Sequence, residues 1–176
     1  EILAAVLTVV SIASPRRRIW PPREPRSTGD NPMRLLFLAS AGGVVILGLL
    51  GWGEWRLSPW IRWGAGLPLW ATGNALNLWA LSTLGKGTSF GGEGPLVVRG
   101  PYRFSRNPQY VGMMVALIGW GLMASSPFAM IATGVGVVPL VLVPFAEEPW
   151  LAARHGAAYE AYVRTVPRYL GRRKTS

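Results

Sequence analysis

Residues 108–146, PQYVGMMVALIGWGLMASSPFAMIATGVGVVPLVLVPFA, contain no charged side chain. The stretch divides into two uncharged runs of 19 residues, 108–126 and 128–146, on either side of a break at Ser125-Ser126-Pro127. Each run approaches the roughly 20 residues that a helix needs to cross a bilayer. Two serines and a proline favour a tight turn. The stretch therefore predicts a membrane-embedded helical hairpin.

The rest of the chain extends this pattern. Residues 35–53 are uncharged over 19 positions and residues 63–84 over 22. A fifth apolar run, residues 2–13, has 12 residues and is too short to span. Residue 1 is Glu rather than Met, so residues 2–13 are read as the tail of a first transmembrane helix. A signal peptide is the weaker reading, because no basic region precedes the run. With 50% hydrophobic and 15% charged residues, the composition is too apolar for an ordinary soluble domain. The expected fold class is all-α, one integral membrane domain over residues 1–176. It would have about five transmembrane helices, a C-terminal hairpin and a tail helix.

The net charge of +10 could suggest a nucleic-acid partner, but its distribution argues otherwise. With five crossings and a cytoplasmic C-terminus, all of the 18 basic residues except Arg56 and Arg62 fall on the cytoplasmic side. That asymmetry is the positive-inside rule, with anionic lipid contact as a by-product. Trp52, Trp55, Trp60 and Trp63 flank the far-side loop, and Trp20 and Trp150 lie near the cytoplasmic ends, as in interfacial aromatic belts.

Five prolines in residues 14–32, SPRRRIWPPREPRSTGDNP, predict a non-helical basic linker. Residues 85–107 form the long cytoplasmic loop. Its glycine-rich start, GKGTSFGGEG at 85–94, lacks P-loop spacing and reads as a flexible loop. Pro149 suits the first turn of a tail helix, with Glu147 and Glu148 at its positive end. Glu148, Leu151 or Ala152, His155, Tyr159 and Tyr162 then recur on one face, and the helix is expected to end near Val166-Pro167.

With no cysteine, one histidine (His155) and one aspartate (Asp30), the sequence offers no disulfide, metal cluster or Ser-His-Asp triad. What remains is polar chemistry at the membrane edge. Residues 96–112, LVVRGPYRFSRNPQYVG, turn, expose backbone groups and then start a membrane helix with polar residues in its first turn. Such a buried helix start suits an anionic group, and Arg106, Asn107 and Tyr110 are its candidate binding residues. Glu147 and Glu148 are costly if they face lipid, and a cationic partner would offset that cost. His155 reads as helix surface, with a base role as the alternative. Asn74 and Asn77 are expected to bond across helices, and Gly42, Gly43, Gly48 and Gly51 to serve helix packing.

Together the residues LVxxGPYxxxRNPxYxG, a hairpin, EE and then HGxxYxxYxxxVPR resemble the integral membrane methyltransferases. That family includes isoprenylcysteine carboxyl methyltransferase and phospholipid N-methyltransferases. The resemblance covers residues 94–168, the catalytic half. It implies S-adenosyl-L-methionine (SAM) at the cytoplasmic face. It also implies cofactor contacts from Gly94, Pro95, Leu96 and Val97 through backbone, and from Tyr102, Asn107, Pro108, Gln109, Tyr110 and Glu147. Arg106 or Arg168 would orient a lipid acceptor, and Glu148 or His155 would act as base for an amine. No metal is implied, and the partners are a lipophilic substrate and membrane lipids.

Two residues depart from the family pattern. Asn107 stands where the family has His, so a proton-carrying role there is not expected. Val143 stands where isoprenylcysteine enzymes place an Arg for the substrate carboxylate, which leaves the acceptor open among a carboxylate, a lipid amine and a thiol. Two rival readings remain, an NADPH-dependent membrane reductase of the sterol type and a non-catalytic scaffold. The first meets Met113 where those reductases carry an acid.

Overall fold

The computed structural model of the protein describes residues 2–13, 32–85 and 94–171. The basic linker, the centre of the glycine-rich loop and the last basic residues lie outside these. Among the described residues every regular element is helical: α1 (Ile2–Ala13), α2 (Pro32–Leu50), α3 (Leu67–Leu84), α4 (Pro108–Ala124), α5 (Pro127–His155) and α6 (Ala157–Thr165). A π-turn, Trp60–Gly66, leads into α3, and a 3-10 turn, Gly100–Arg103, precedes α4.

Helices α3 and α4 run antiparallel with their backbones in direct contact. A Cβ placed on Gly73 would lie 2.4 Å from the Ala116 amide, and one on Gly119 would lie 2.2 Å from the Trp70 amide. Gly112 faces the Asn77 backbone at 2.7 Å on the same measure. Gly66, Gly73, Gly112 and Gly119 thus form the packing seam, a membrane-type small-residue contact. The four α2-region glycines expected to serve packing divide evenly. Gly42 and Gly43 meet nothing within 4 Å, whereas Gly48 packs on Trp120 and Gly51 on Ser126.

The hairpin turn forms as expected. Ser125 takes a left-handed conformation, and Ser126 caps α5 by accepting a hydrogen bond from the Ala129 amide at 3.3 Å. This turn is tied to the far loop. Gly53 and Trp55 donate to the carbonyls of Ala124 and Ser125, both at 2.8 Å. Arg62 donates through Nε to the Met123 carbonyl at 3.0 Å and lies against Trp52 and Trp63.

Helix α5 differs from the expectation. It runs unbroken for 29 residues through Pro139, Pro144 and Pro149, so Glu147 and Glu148 sit inside a helix rather than at a positive end. Each proline frees the carbonyl four residues earlier, a loss that neighbouring helices tolerate in a membrane protein. The helix stops instead at Gly156, whose φ of +53° suits glycine, and α6 starts a new direction.

Around the core, α1 and α2 pack on α5, where Leu7, Leu36 and Phe37 meet buried Val143. Leu35, Leu38, Ile46, Leu49, Leu78, Phe128 and Ile131 face outward. Of the described helices, α5 alone is long and apolar enough to cross a membrane by length and composition. Residues 35–50 and 108–124 are shorter apolar helices.

Candidate functional site

The site forms where α3 ends and α4 begins. Gly100 adopts φ +58°, and a Cβ there would lie 3.0 Å from Thr83 Oγ1, so the chain turns tightly against α3. Pro101 and Tyr102 bury behind this turn. Tyr162 of α6 donates to the Tyr102 carbonyl at 2.7 Å and so fastens α6 across the loop. Tyr159, Tyr162 and Val166 then make a small core that Leu96 and Leu151 cover.

The two adjacent acids have separate surroundings, because neighbours on a helix point about 100° apart. Glu147 receives the Tyr110 hydroxyl at 2.7 Å. Glu148 is held by two guanidinium groups. Arg168 donates Nε to Oε1 at 2.9 Å and Nη2 to Oε2 at 2.6 Å. Arg106 reaches Oε1 with Nη2 at 2.9 Å. Planar bidentate pairing of this kind is geometrically specific. The pairing with Glu148 raises the pKa of Arg168, so its charge is secure. The Arg168 guanidinium also lies 3.9 Å from the centre of the Phe145 ring. Arg106 is 8% exposed at its side chain, and its Nε has no hydrogen-bond partner.

Asn107 precedes α4 without capping it by its side chain. Its Nδ2 donates to the Arg168 carbonyl at 3.0 Å instead, and its own amide donates to Ser105 Oγ at 3.1 Å. Ser105 Oγ reaches the same Arg168 carbonyl at 3.2 Å, and the Arg106 amide donates to the Pro167 carbonyl at 2.9 Å. Residues 105–107 and 167–168 are thereby stitched together. Tyr169 donates its hydroxyl to the Val141 carbonyl, which lays the segment along α5.

A cleft opens between these elements. The segment Gly94, Pro95, Leu96 and Val97 and the end of α3 at Leu84 line it. From α5 come Glu147, Trp150, Leu151 and His155. Arg106, Asn107, Gln109 and Tyr110 at the start of α4, with Tyr102, Tyr159 and Tyr162, complete it. Burial raises the pKa of all three tyrosines, and the charge of Glu147 adds to the rise at Tyr102, so they remain neutral hydroxyls.

The structure gathers most of the residues singled out in the sequence. Every expected cofactor contact lines the cleft except Pro108, which is buried in the first turn of α4. Arg106 lines it, while Glu148 and Arg168 do not. His155 lines the cleft too, where the sequence read helix surface. Leu84, Trp150, Leu151, Tyr159 and Tyr162 complete the lining, and three of them lay on the helix face read from sequence spacing.

The model of the phospholipid methyltransferase family matches residues 61–158. Phosphatidylethanolamine N-methyltransferase B of Dictyostelium discoideum is 39% identical over 87 residues, 45% of this chain and 43% of that protein. A steroid 5-alpha-reductase of Solanum lycopersicum is 34% identical over 67 residues, 38% of this chain and 26% of that protein. The chain thus spans less than half the length of these curated relatives. No solved structure matches the chain. The family match covers more than half of the chain, over the helices and loop that build the cleft, and the protein belongs to the phospholipid methyltransferase family.

Proposed function

We propose that the protein is a membrane-embedded, SAM-dependent methyltransferase that acts on a lipid amine. The observation that carries this reading is Glu147, held by Tyr110 at 2.7 Å in a cleft that residues 94–97 also line. The donor set fits the cofactor. A carboxylate with aromatic rings around it suits a ligand bearing ammonium and sulfonium charges. A segment outside regular secondary structure, such as residues 94–97, can offer its N–H and C=O groups to the edge of an adenine.

When bound, SAM supplies an electrophilic methyl group, and the chain's own residues contribute placement. Tyr110 fixes the rotamer of Glu147, and Leu84, Leu96 and Leu151 give the cleft its apolar part. Holding two reactants in line this way lowers the barrier without a covalent enzyme intermediate. An amine acceptor must arrive without its proton, and His155, which lines the cleft, is the base in this reading. Glu148, engaged on both oxygens by Arg106 and Arg168, acts as a positioning residue rather than a base. The arginine-rich end of the bundle would face the cytoplasm, with five crossings in all. A lipid amine is favoured over a carboxylate by the similarity to a phosphatidylethanolamine N-methyltransferase.

Calorimetric titration of purified protein with S-adenosylhomocysteine, with NADPH as the second ligand, tests the reading. Saturable binding of the nucleoside thioether alone is expected. Binding of NADPH alone would overturn it in favour of the reductase reading that the steroid 5-alpha-reductase similarity keeps alive.

A further inference from the structure

The chain has five tyrosines, and three of their hydroxyls are engaged within the fold. Tyr110 donates to Glu147, Tyr162 to the Tyr102 carbonyl and Tyr169 to the Val141 carbonyl. The hydroxyls of Tyr102 and Tyr159 make no hydrogen bond among the described residues. Both residues are more than nine-tenths buried, at 6% and 3% exposed, and both line the cleft. A buried phenol ordinarily finds a partner for its O–H, so two unmatched hydroxyls on one cavity point to a ligand. Tyr102 already stands among the expected cofactor contacts. Tyr159 has no task assigned to it.

Packing sets the direction of the Tyr159 phenol. Its ring meets Tyr162 edge-on at 6.1 Å, and its amide donates to the Gly156 carbonyl at 3.0 Å. The buried polar atoms sealed away without a partner are, among the described residues, Arg62 Nη2, Asn77 Oδ1 and Arg106 Nε. The Tyr159 hydroxyl is not one of them, so a ligand can reach it. The ring also borders a shallow outer groove beside Glu160 and Arg164. After burial, the influences on the hydroxyl are instead Glu148, Arg106, Glu147 and Arg168, two of which line the cleft. Burial keeps the phenol protonated, and it can serve as a donor.

Arg106 and Arg168 share the single carboxylate of Glu148, which leaves one positive charge in excess beside this donor. Glu147, in the same cleft, carries the negative one. A donor next to an excess cation suits an oxyanion. We infer that the Tyr159 hydroxyl binds the oxyanion of a zwitterionic ligand whose ammonium meets Glu147. This deepens the reading above and rests on it for the ligand. Two oxyanions share the required chemistry: the carboxylate at the amino-acid end of the cofactor, and the phosphodiester of an ethanolamine headgroup.

The test is calorimetry on the full chain in detergent, wild type against Tyr159→Phe. The ligands are S-adenosylhomocysteine, its decarboxylated analogue and dihexanoylphosphatidylethanolamine. The variant keeps the ring and loses only the hydroxyl. It should melt no lower than wild type, because no bond within the fold is lost. Tyr162→Phe, which gives up its 2.7 Å bond to Tyr102, should melt lower. Roughly tenfold weaker binding of S-adenosylhomocysteine, with the decarboxylated analogue bound alike by both proteins, is the result expected if the oxyanion is the carboxylate. Roughly tenfold weaker binding of the lipid is expected if it is the phosphodiester. Unchanged affinity for both would overturn the inference. So would equal weakening of the nucleoside and its decarboxylated analogue, or a melting temperature for Tyr159→Phe as low as that of Tyr162→Phe. Absence of nucleoside binding in the wild type would remove the methyl-transfer reading, and the lipid titration alone would then decide the role of Tyr159.

Discussion

Arg168 grips Glu148 with two nitrogens at 2.9 and 2.6 Å, although 20 residues of chain and a change of helix direction separate them. The contact joins the segment after α6 to the α5 turn that also carries Glu147. Glu148→Ala should leave Arg106, nearly buried, without its counter-charge. The expected loss is on the order of 3 kcal/mol of stability, read as a lower melting temperature in detergent. Arg168→Lys should recover little, because an ammonium cannot pair both oxygens in the same plane.

Tyr110→Phe removes one hydroxyl and keeps the ring. Its hydrogen bond to the Glu147 carboxylate at 2.7 Å is charge-assisted. Such a bond is worth about 2 kcal/mol. The melting temperature should therefore fall, and S-adenosylhomocysteine should bind roughly 10-fold more weakly once Glu147 loses its fixed rotamer. Affinity equal to wild type in calorimetry would count against Glu147 as the cationic group's partner.

Asn107 offers a different test, since the family pattern expects His there. Its Nδ2 holds the Arg168 carbonyl at 3.0 Å, a task for a donor and not for a titrating group. Asn107→His should therefore stay within a few-fold of wild-type activity. Asn107→Ala should cost about 1 kcal/mol of stability. It should also speed proteolysis after residue 165 by loosening the stitched segment.

The α3–α4 seam predicts sharp intolerance. Gly73→Leu and Gly119→Leu force side chains onto backbone atoms within 2.4 Å and 2.2 Å. Neither variant should yield monodisperse protein on size-exclusion chromatography. Gly42→Leu, with nothing within 4 Å, should behave as wild type.

Much of this arrangement was written locally in the sequence. The uncharged runs, the Ser125-Ser126-Pro127 turn and the polar start of α4 each depend on neighbours in the chain: the runs fold as helices, and the turn and the helix start form as read. The misreadings share a tertiary cause. Pro149 looked like a helix start because a proline's cost is a local quantity, whereas the packing that carries α5 through it is not. Gly42 and Gly43 looked like packing residues, but which glycines meet a partner depends on the helix facing them, and that helix brought Gly112 and Gly119. The split between Glu147 and Glu148 was hidden for the same reason. The partners of Glu148, Arg106 and Arg168, are distant in the chain and come together only after α6 folds back.

Backbone contact along Gly66, Gly73, Gly112 and Gly119 makes α3 and α4 one stiff unit of fixed length. Its far end is tied to the tryptophan-rich loop by Arg62, and its near end carries the cleft. A unit that cannot slide or stretch holds the cleft at a constant distance from the tryptophan-rich loop. Were that unit to cross a bilayer, a thicker or thinner membrane would move its headgroup plane relative to Tyr110 and His155 without altering any residue.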